Sequence, residues 1–326
     1  MELTRRRLLA GSAGGLAAVG GGVATYNVVL GYDRFTGTNL TIQDLEALVL
    51  ADLAASGGQE LGGHRIRTDG DRLSVDDGAA ELHLDREGPA DAAAVDEEFG
   101  LDGSLRELFV DLGSIAAEEV EVVPASYPEF FDRLRTARTR PATVEALRGA
   151  GVRSVDPALV ESFAGTASTE PRSLVEGLAE GFREFSYYDV PRYLAGSVQD
   201  NVIFGRRDLR ARFESPADFE SLAAGENDGL FCTELTRRAM EAFHAAPASE
   251  QRVPTFTGYV HDARHKHVFL LIGSVVRENG ATTMPVTFVD YTYSTLYDDL
   301  RLRWALGEGI DAYTSRHRGD RIRWYD

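Results

Sequence analysis

Three strand-like runs late in the chain, "VPTFTGYV", "KHVFLLIGSVV" and "PVTFVDYTYS", constrain the fold most. Apolar, β-branched runs joined by polar turns, here "HDARH" and "RENGATT", read as neighbouring strands of one meander. If the strands pair antiparallel, the start of one lies beside the end of the next. His267, which opens the middle strand, and Asp290, near the end of the third, are then expected as cross-strand neighbours. Strand alternation groups His267 with Phe269 and Leu271, and Asp290 with Val286 and Phe288.

Just before this meander stands "GLFCTELTRRAMEAFHAA", with Leu235, Ala239, Met240 and Phe243 spaced as one apolar face of a helix. It carries the chain's single cysteine, Cys232, which the spacing places in the first helical turn. There the unpaired N–H groups and the positive end of the helix dipole favour a thiolate. Asn227 or Asp228 is placed to cap the helix, and Gly229 allows a close approach of the chain. A lone cysteine has no partner within the chain, which leaves two readings, a small buried apolar residue or a reactive thiol.

The N-terminus bears on that choice. Arg5 to Arg7 precede a run from Leu8 to Gly31 with no charged residue, the order of an export signal, and "TRRRLL" resembles the twin-arginine type. Gly22-Val23-Ala24 offers a small-x-small cleavage site, while "TYNVVLGY" extends the run to about the 20 residues that span a bilayer. Residues 1–31 are therefore expected to be a signal or a single membrane anchor, with the rest of the protein outside the cytoplasmic membrane. Cysteines in that compartment usually pair, so an unpaired one is notable.

Composition sets further bounds. The 52 Asp and Glu residues outnumber 34 Lys and Arg, Lys266 is the single lysine, and such a surface repels nucleic acid and anionic membranes. It suits a halophile's protein kept soluble at high salt, or an acidic protein from a base-biased genome. The chain is long enough for one large domain or two modest ones. The pattern predicts an α+β fold: residues 32–170 mostly helical with a short β-hairpin, and residues 171–326 forming a second unit. In the first region a helix is expected from Thr38 through "TIQDLEALVLADLAA", strands at "HRIRTDGDRLSV" and "AAELHLD", and a polar connection at "GPADAAAVDEE". Helices follow at "SLRELFVDLGSIAAEEV", "YPEFFDRLRTAR", "TVEALRGAG" and "PALVESFAG".

From about Arg172 to Leu302 the chain resembles the transglutaminase-like cysteine enzymes, which share a papain-like fold. "SVQDNVIF" is similar to their segment before the cysteine, and "SPADFESLAAGENDGLFCTEL" to the loop and cysteine helix. "FTGYV", "KHVFLLI" and "TFVDYTY" are similar to the first strand, the histidine strand and the aspartate strand. The resemblance implies a cysteine helix packed on an antiparallel meander. Cys232 would be the nucleophile, His267 the general base and then acid, and Asp290 the group that orients the imidazole. The Cys232 N–H would serve the oxyanion, and Gln199 or Asn201 would either add a side-chain donor or cap a helix. A peptide or protein substrate is implied, with no cofactor.

Other readings remain at this point. The domain is either an active hydrolase or acyltransferase, or a catalytically silent relative that binds a peptide or cell-surface partner. "HDARHKH" would present His261, His265 and His267 on one face of a continuous strand, as in a zinc site, or else forms a solvated turn. The arginine-rich tail with Trp304 and Trp324 either packs on the acidic body or docks a partner.

Overall fold

The computed structural model describes residues 49–292, apart from short stretches that include 77–80, 196–198, 200–206, 212–216 and 263–266, together with Arg321–Arg323. The expected export segment, most of the helix expected from Thr38, Asn201 and both tryptophans lie outside the described residues.

The first strands are β1 (Gly57–Leu61), β2 (His64–Asp69), β3 (Arg72–Asp76) and β4 (Glu81–Asp85), paired in order as an antiparallel meander. The stretch expected as one strand, "HRIRTDGDRLSV", is two, β2 and β3, antiparallel with Asp69 opposite Arg72. Alternation then buries Ile66, Leu73, Val75 and Leu84. Helices α1 (Pro89–Phe99) and α2 (Ser104–Ala116) follow. The expected polar connection is thus a helix, with Ala92 and Val95 buried and the Asp96 carboxylate accepting from the Leu105 and Arg106 N–H groups at the start of α2, at 2.9 and 2.8 Å.

Next come β5 (Glu121–Pro124), α3 (Tyr127–Thr136), β6 (Arg138–Thr139), α4 (Pro141–Leu147), α5 (Pro157–Ala164) and α6 (Pro171–Phe185). Proline near the start of each of these helices has its φ preset and lacks an N–H that would go unpaired. Ser126 caps α3 in a capping box with Glu129, and the Asp156 carboxylate caps α5. The rest of the described chain is β7 (Ser186–Tyr188), α7 (Phe219–Ala223), β8 (Asp228–Leu230), α8 (Cys232–His244), β9 (Phe256–Asp262), β10 (His267–Gly273), β11 (Val276–Glu278), β12 (Ala281–Val289) and β13 (Arg321–Arg323).

The central sheet is the expected meander with additions. Strands β10 and β11 run in succession along β12 in one register, from Leu270 opposite Val289 to Val276 opposite Thr283. The hairpin closes through Asn279 (φ 52°) and Gly280 (φ 87°), two left-handed positions that Asn-Gly fills with little strain. Strand β9 pairs with β10 and β13 with β9. Two short strands from the first half complete the sheet: β5 lies parallel to β12, and β6 pairs with β11. The sheet therefore crosses the division expected near residue 170.

Each face of this sheet has its own core. Val268, Leu270, Ile272, Tyr259 and Val289 join side chains of α3, α5, α6, α7 and α8. Phe269, Leu271, Val260, Phe256 and Phe288 join those of α1, α2, α4 and the four-stranded meander. The second face also holds a buried ionic network. Asp111 is fully buried and accepts from Arg140 Nε at 2.7 Å, Thr143 Oγ1 at 2.8 Å and Thr282 Oγ1 at 3.3 Å, which ties α2 and α4 to β12. The architecture is α+β with antiparallel sheets and helices on both faces of the larger one.

Candidate active site

Helix α8 forms where the sequence predicts, with Leu235, Ala239, Met240 and Phe243 all buried. Cys232 is its first residue. The N-cap is Phe231, so neither Asn227 nor Asp228 takes that place, and the Glu234 carboxylate accepts from the Phe231 N–H at 2.9 Å. The carboxylate also favours the positive end of the helix dipole. Chain entry is fixed by β8, which pairs in parallel with β7, and a Cβ on Gly229 would come within 3.1 Å of the Tyr187 ring. The Tyr188 ring stacks on Phe231 at 5.5 Å, and the Arg192 guanidinium lies 5.9 Å from the Phe231 centroid and 2.5 Å from Glu234 Oε1. Aromatic stacking and an ion pair thus hold the first turn in place.

The helix lies across β9 and β10. At its last position, His244 Nε2 is 2.9 Å from Thr257 Oγ1, and Thr257 is the register partner of Ile272. The 13 residues of α8 and the 7 of β10 each span about 20 Å at their usual rises. A helix anchored at the Thr257–Ile272 end is therefore long enough to reach the opposite end of the hairpin with its first turn, where β10 opens at His267 and β12 closes at Val289. Cys232, a free thiol, belongs to the same apolar cluster as Val268, Leu270, Val289 and Tyr291 and is 1% exposed.

The other expected site residues reach this end of the sheet in different ways. The backbone of His267 pairs with Asp262, and its position has the parity of Phe269 and Leu271, which belong to the core on the face away from α8. Asp290 follows the last ladder residue of β12, is buried, and accepts from the Thr292 N–H at 3.0 Å. Its neighbour Tyr291 donates to the Val175 carbonyl at 3.3 Å, fastening the end of β12 to α6. Burial pushes the Tyr291 phenol well above its ordinary range. Gln199 accepts from the Leu209 N–H at 2.9 Å, so its carbonyl closes a local loop.

Sequence reasoning grouped His261 with a turn or a metal, and the register gives it another place. It pairs with Val268 and has the parity of Tyr259, which puts it on the face that α8 covers. Counting alternation forward from Tyr259 puts the two on one face, but which face α8 covers comes from the packing. His261 and His267 stand on two antiparallel strands, β9 and β10, rather than on one, and His265 lies outside the described residues. Among the described residues no group of three or more His, Cys, Asp or Glu side chains is placed to hold a metal ion. Nor is any helix among them long and apolar enough to cross a membrane.

Cysteine, imidazole and carboxylate are the groups that acyl transfer through a thioester uses. No protein family, curated protein or solved structure matches the chain.

Proposed function

We propose that the protein is an exported thiol-dependent hydrolase or acyltransferase of the transglutaminase-like kind, acting on peptide or amide bonds, with Cys232 as nucleophile, His267 as acid–base and Asp290 as its orienter. The observation that supports this reading is that Cys232 is the first residue of α8, a helix that packs on β9 and β10, is held to the Thr257 end of the sheet by His244, and has the length to reach the other end, where β10 begins at His267 and Asp290 follows β12. Thiolate addition to the acyl carbon gives a tetrahedral oxyanion, for which the Cys232 N–H is the nearest backbone donor. The C–N bond then breaks as the imidazolium gives its proton to the leaving amine, and a thioester remains. Water, or a second amine in an acyltransferase, adds to the thioester and gives its proton to the imidazole as the C–S bond breaks.

Two observations favour a second reading, a silent peptide-binding relative: the thiol is 1% exposed, and position 267 has the parity of the far face. His261, on the near face, is the alternative imidazole. Iodoacetamide labelling of the folded full chain near pH 6, with Cys232→Ala as blank, separates these cases. Fast labelling that slows in His267→Ala supports the triad as proposed. Slowing in His261→Ala alone transfers the acid–base role to His261. Slow labelling indifferent to both histidines leaves the binding module as the account.

A further inference from the structure

Beside α8, the chain leading into α5 walls a half-open pocket of about 330 Å³ lined by Val152, Arg153, Arg237, Arg238, Met240 and Glu241, at the lower end of the usual range for small-ligand sites. Three arginines on one cavity stand out in a chain of net charge −18. Arg238 is 9% exposed, and its buried Nε–H meets no hydrogen-bond acceptor. Its Nη1 lies 2.8 Å from Glu241 Oε2, yet that oxygen, on a side chain 1% exposed, also forms no hydrogen bond. Buried donors are nearly always satisfied, so an unmet guanidinium N–H in a cavity wall marks where an acceptor is wanted. Arg153 is shared with the exterior, 3.7 Å from Asp218 Oδ2 and 3.1 Å from Glu220 Oε1.

We propose that this cavity binds a small ligand through an oxyanion group, a phosphate or a carboxylate, which Arg153, Arg237 and Arg238 hold while Glu241 tunes the affinity. Guanidinium groups fit both anions because their planar forks donate paired hydrogen bonds to two oxygens. Glu241 is the opposing charge. Burial pushes its carboxyl up to about 7, and Glu220 adds to that, while Arg238, Arg153 and Arg237 pull it down. Arg238 feels Asp218 as well as Glu241. An arriving anion raises the local negative potential, so binding and protonation of Glu241 reinforce one another, and affinity falls as pH rises through neutrality.

Titration calorimetry on the full chain at fixed high chloride tests this, with inorganic phosphate in one arm and succinate in the other; the tighter arm identifies the anion class. Saturable one-site binding is expected, weakened about tenfold or more by Arg237→Ala and by Arg153→Ala, both exposed positions that leave the fold intact. Arg252→Ala, at an exposed arginine beside Glu170, leaves it unchanged. Glu241→Gln tightens binding and flattens its pH dependence. No saturable binding of either anion at millimolar concentration overturns the proposal, as does binding that survives the Arg153→Ala/Arg237→Ala pair.

Discussion

The two ends of α8 are built on opposite principles. At the C-terminal end, Arg148 donates to the carbonyls of Ala246 at 2.7 Å, Thr255 at 3.0 Å and Phe243 at 3.4 Å, and to Gln251 Oε1 at 2.7 Å. Gln251 returns its amide N–H groups to the carbonyls of Phe243 at 2.7 Å and Ser168 at 3.3 Å, and takes the Thr255 N–H at 3.0 Å. Side chains thus satisfy the Phe243 carbonyl in the last turn of the helix and the Ala246 carbonyl just past it in a dry setting. At the N-terminal end the N-cap residue, Phe231, supplies no side-chain acceptor to the helix, Glu234 meets the N–H of Phe231 itself, and the helix begins on the cysteine. Helix N-termini left without a cap are where anions and oxyanions are received. Under the proposed function, the difference teaches that stability and chemistry are divided along one helix, with the densely bonded end as the anchor that positions the other.

Removing the anchor is the strongest way to break this comparison. Arg148→Ala leaves buried carbonyls and Gln251 Oε1 without their donor, and should lower unfolding free energy by about 3–5 kcal/mol in denaturant titrations, the scale for a buried charge network that loses a partner. Gln251→Ala should cost about 1–3 kcal/mol, since the Phe243 and Ser168 carbonyls keep fewer donors. If Cys232→Ser costs as much as Arg148→Ala, the division of labour along α8 is wrong.

A smaller effect should come from the C-terminal tail. Its residues Arg321–Arg323 pair with β9 at Tyr259, Val260 and His261, beside the cysteine end of the sheet rather than the Arg148 end. Deleting the residues after Gly309 uncovers that strand edge, and should lower the melting temperature by a few degrees. Hydrogen exchange should then accelerate at Tyr259 to His261 more than at Phe256 or Thr257. Equal acceleration along β9 would show that the tail stabilises the sheet as a whole and not the cysteine end.

How much of this was legible depends on how local each signal is. The apolar stripe of α8, the Asn279-Gly280 turn and the β10 to β12 hairpin are short-range patterns, and the sequence carries them openly. Strands β5 and β6 are not legible, because four residues ending in Pro124 and two around Arg138 have no period of their own and take strand form from distant partners. The candidate site divides similarly. Alternation assigns His267 and Asp290 a common parity, yet which face α8 covers is decided by tertiary packing, and that choice puts Cys232 on the side of His261. The Arg153, Arg237, Arg238 and Glu241 group was equally hidden, since Arg153 stands far from α8 in the chain.

The smallest expected effect is a pair of opposed pH slopes carried by α8 away from its cysteine end. His244 is buried, and burial together with the nearby Arg148 charge holds its imidazole well below the ordinary value of 6.5. The unfolded chain binds that proton first on acidification, so the stability His244 contributes is present above about 6.5 and is lost as pH falls towards the folded value. Glu241 acts in the other direction. Its carboxyl is raised from 4.5 to about 7, chiefly by burial, so the folded chain holds the proton more tightly and stability falls as pH rises from about 4.5 through 7. Between about 4.5 and 6.5 the slopes oppose, and the wild type should show a flattened stability profile there. In Glu241→Gln the His244 slope should stand alone, with stability rising more steeply with pH across that window. In His244→Gln the Glu241 slope should remain, with stability falling. Unfolding free energies measured at several pH values for the three proteins check this, and parallel profiles would show that neither group titrates on folding as its surroundings require.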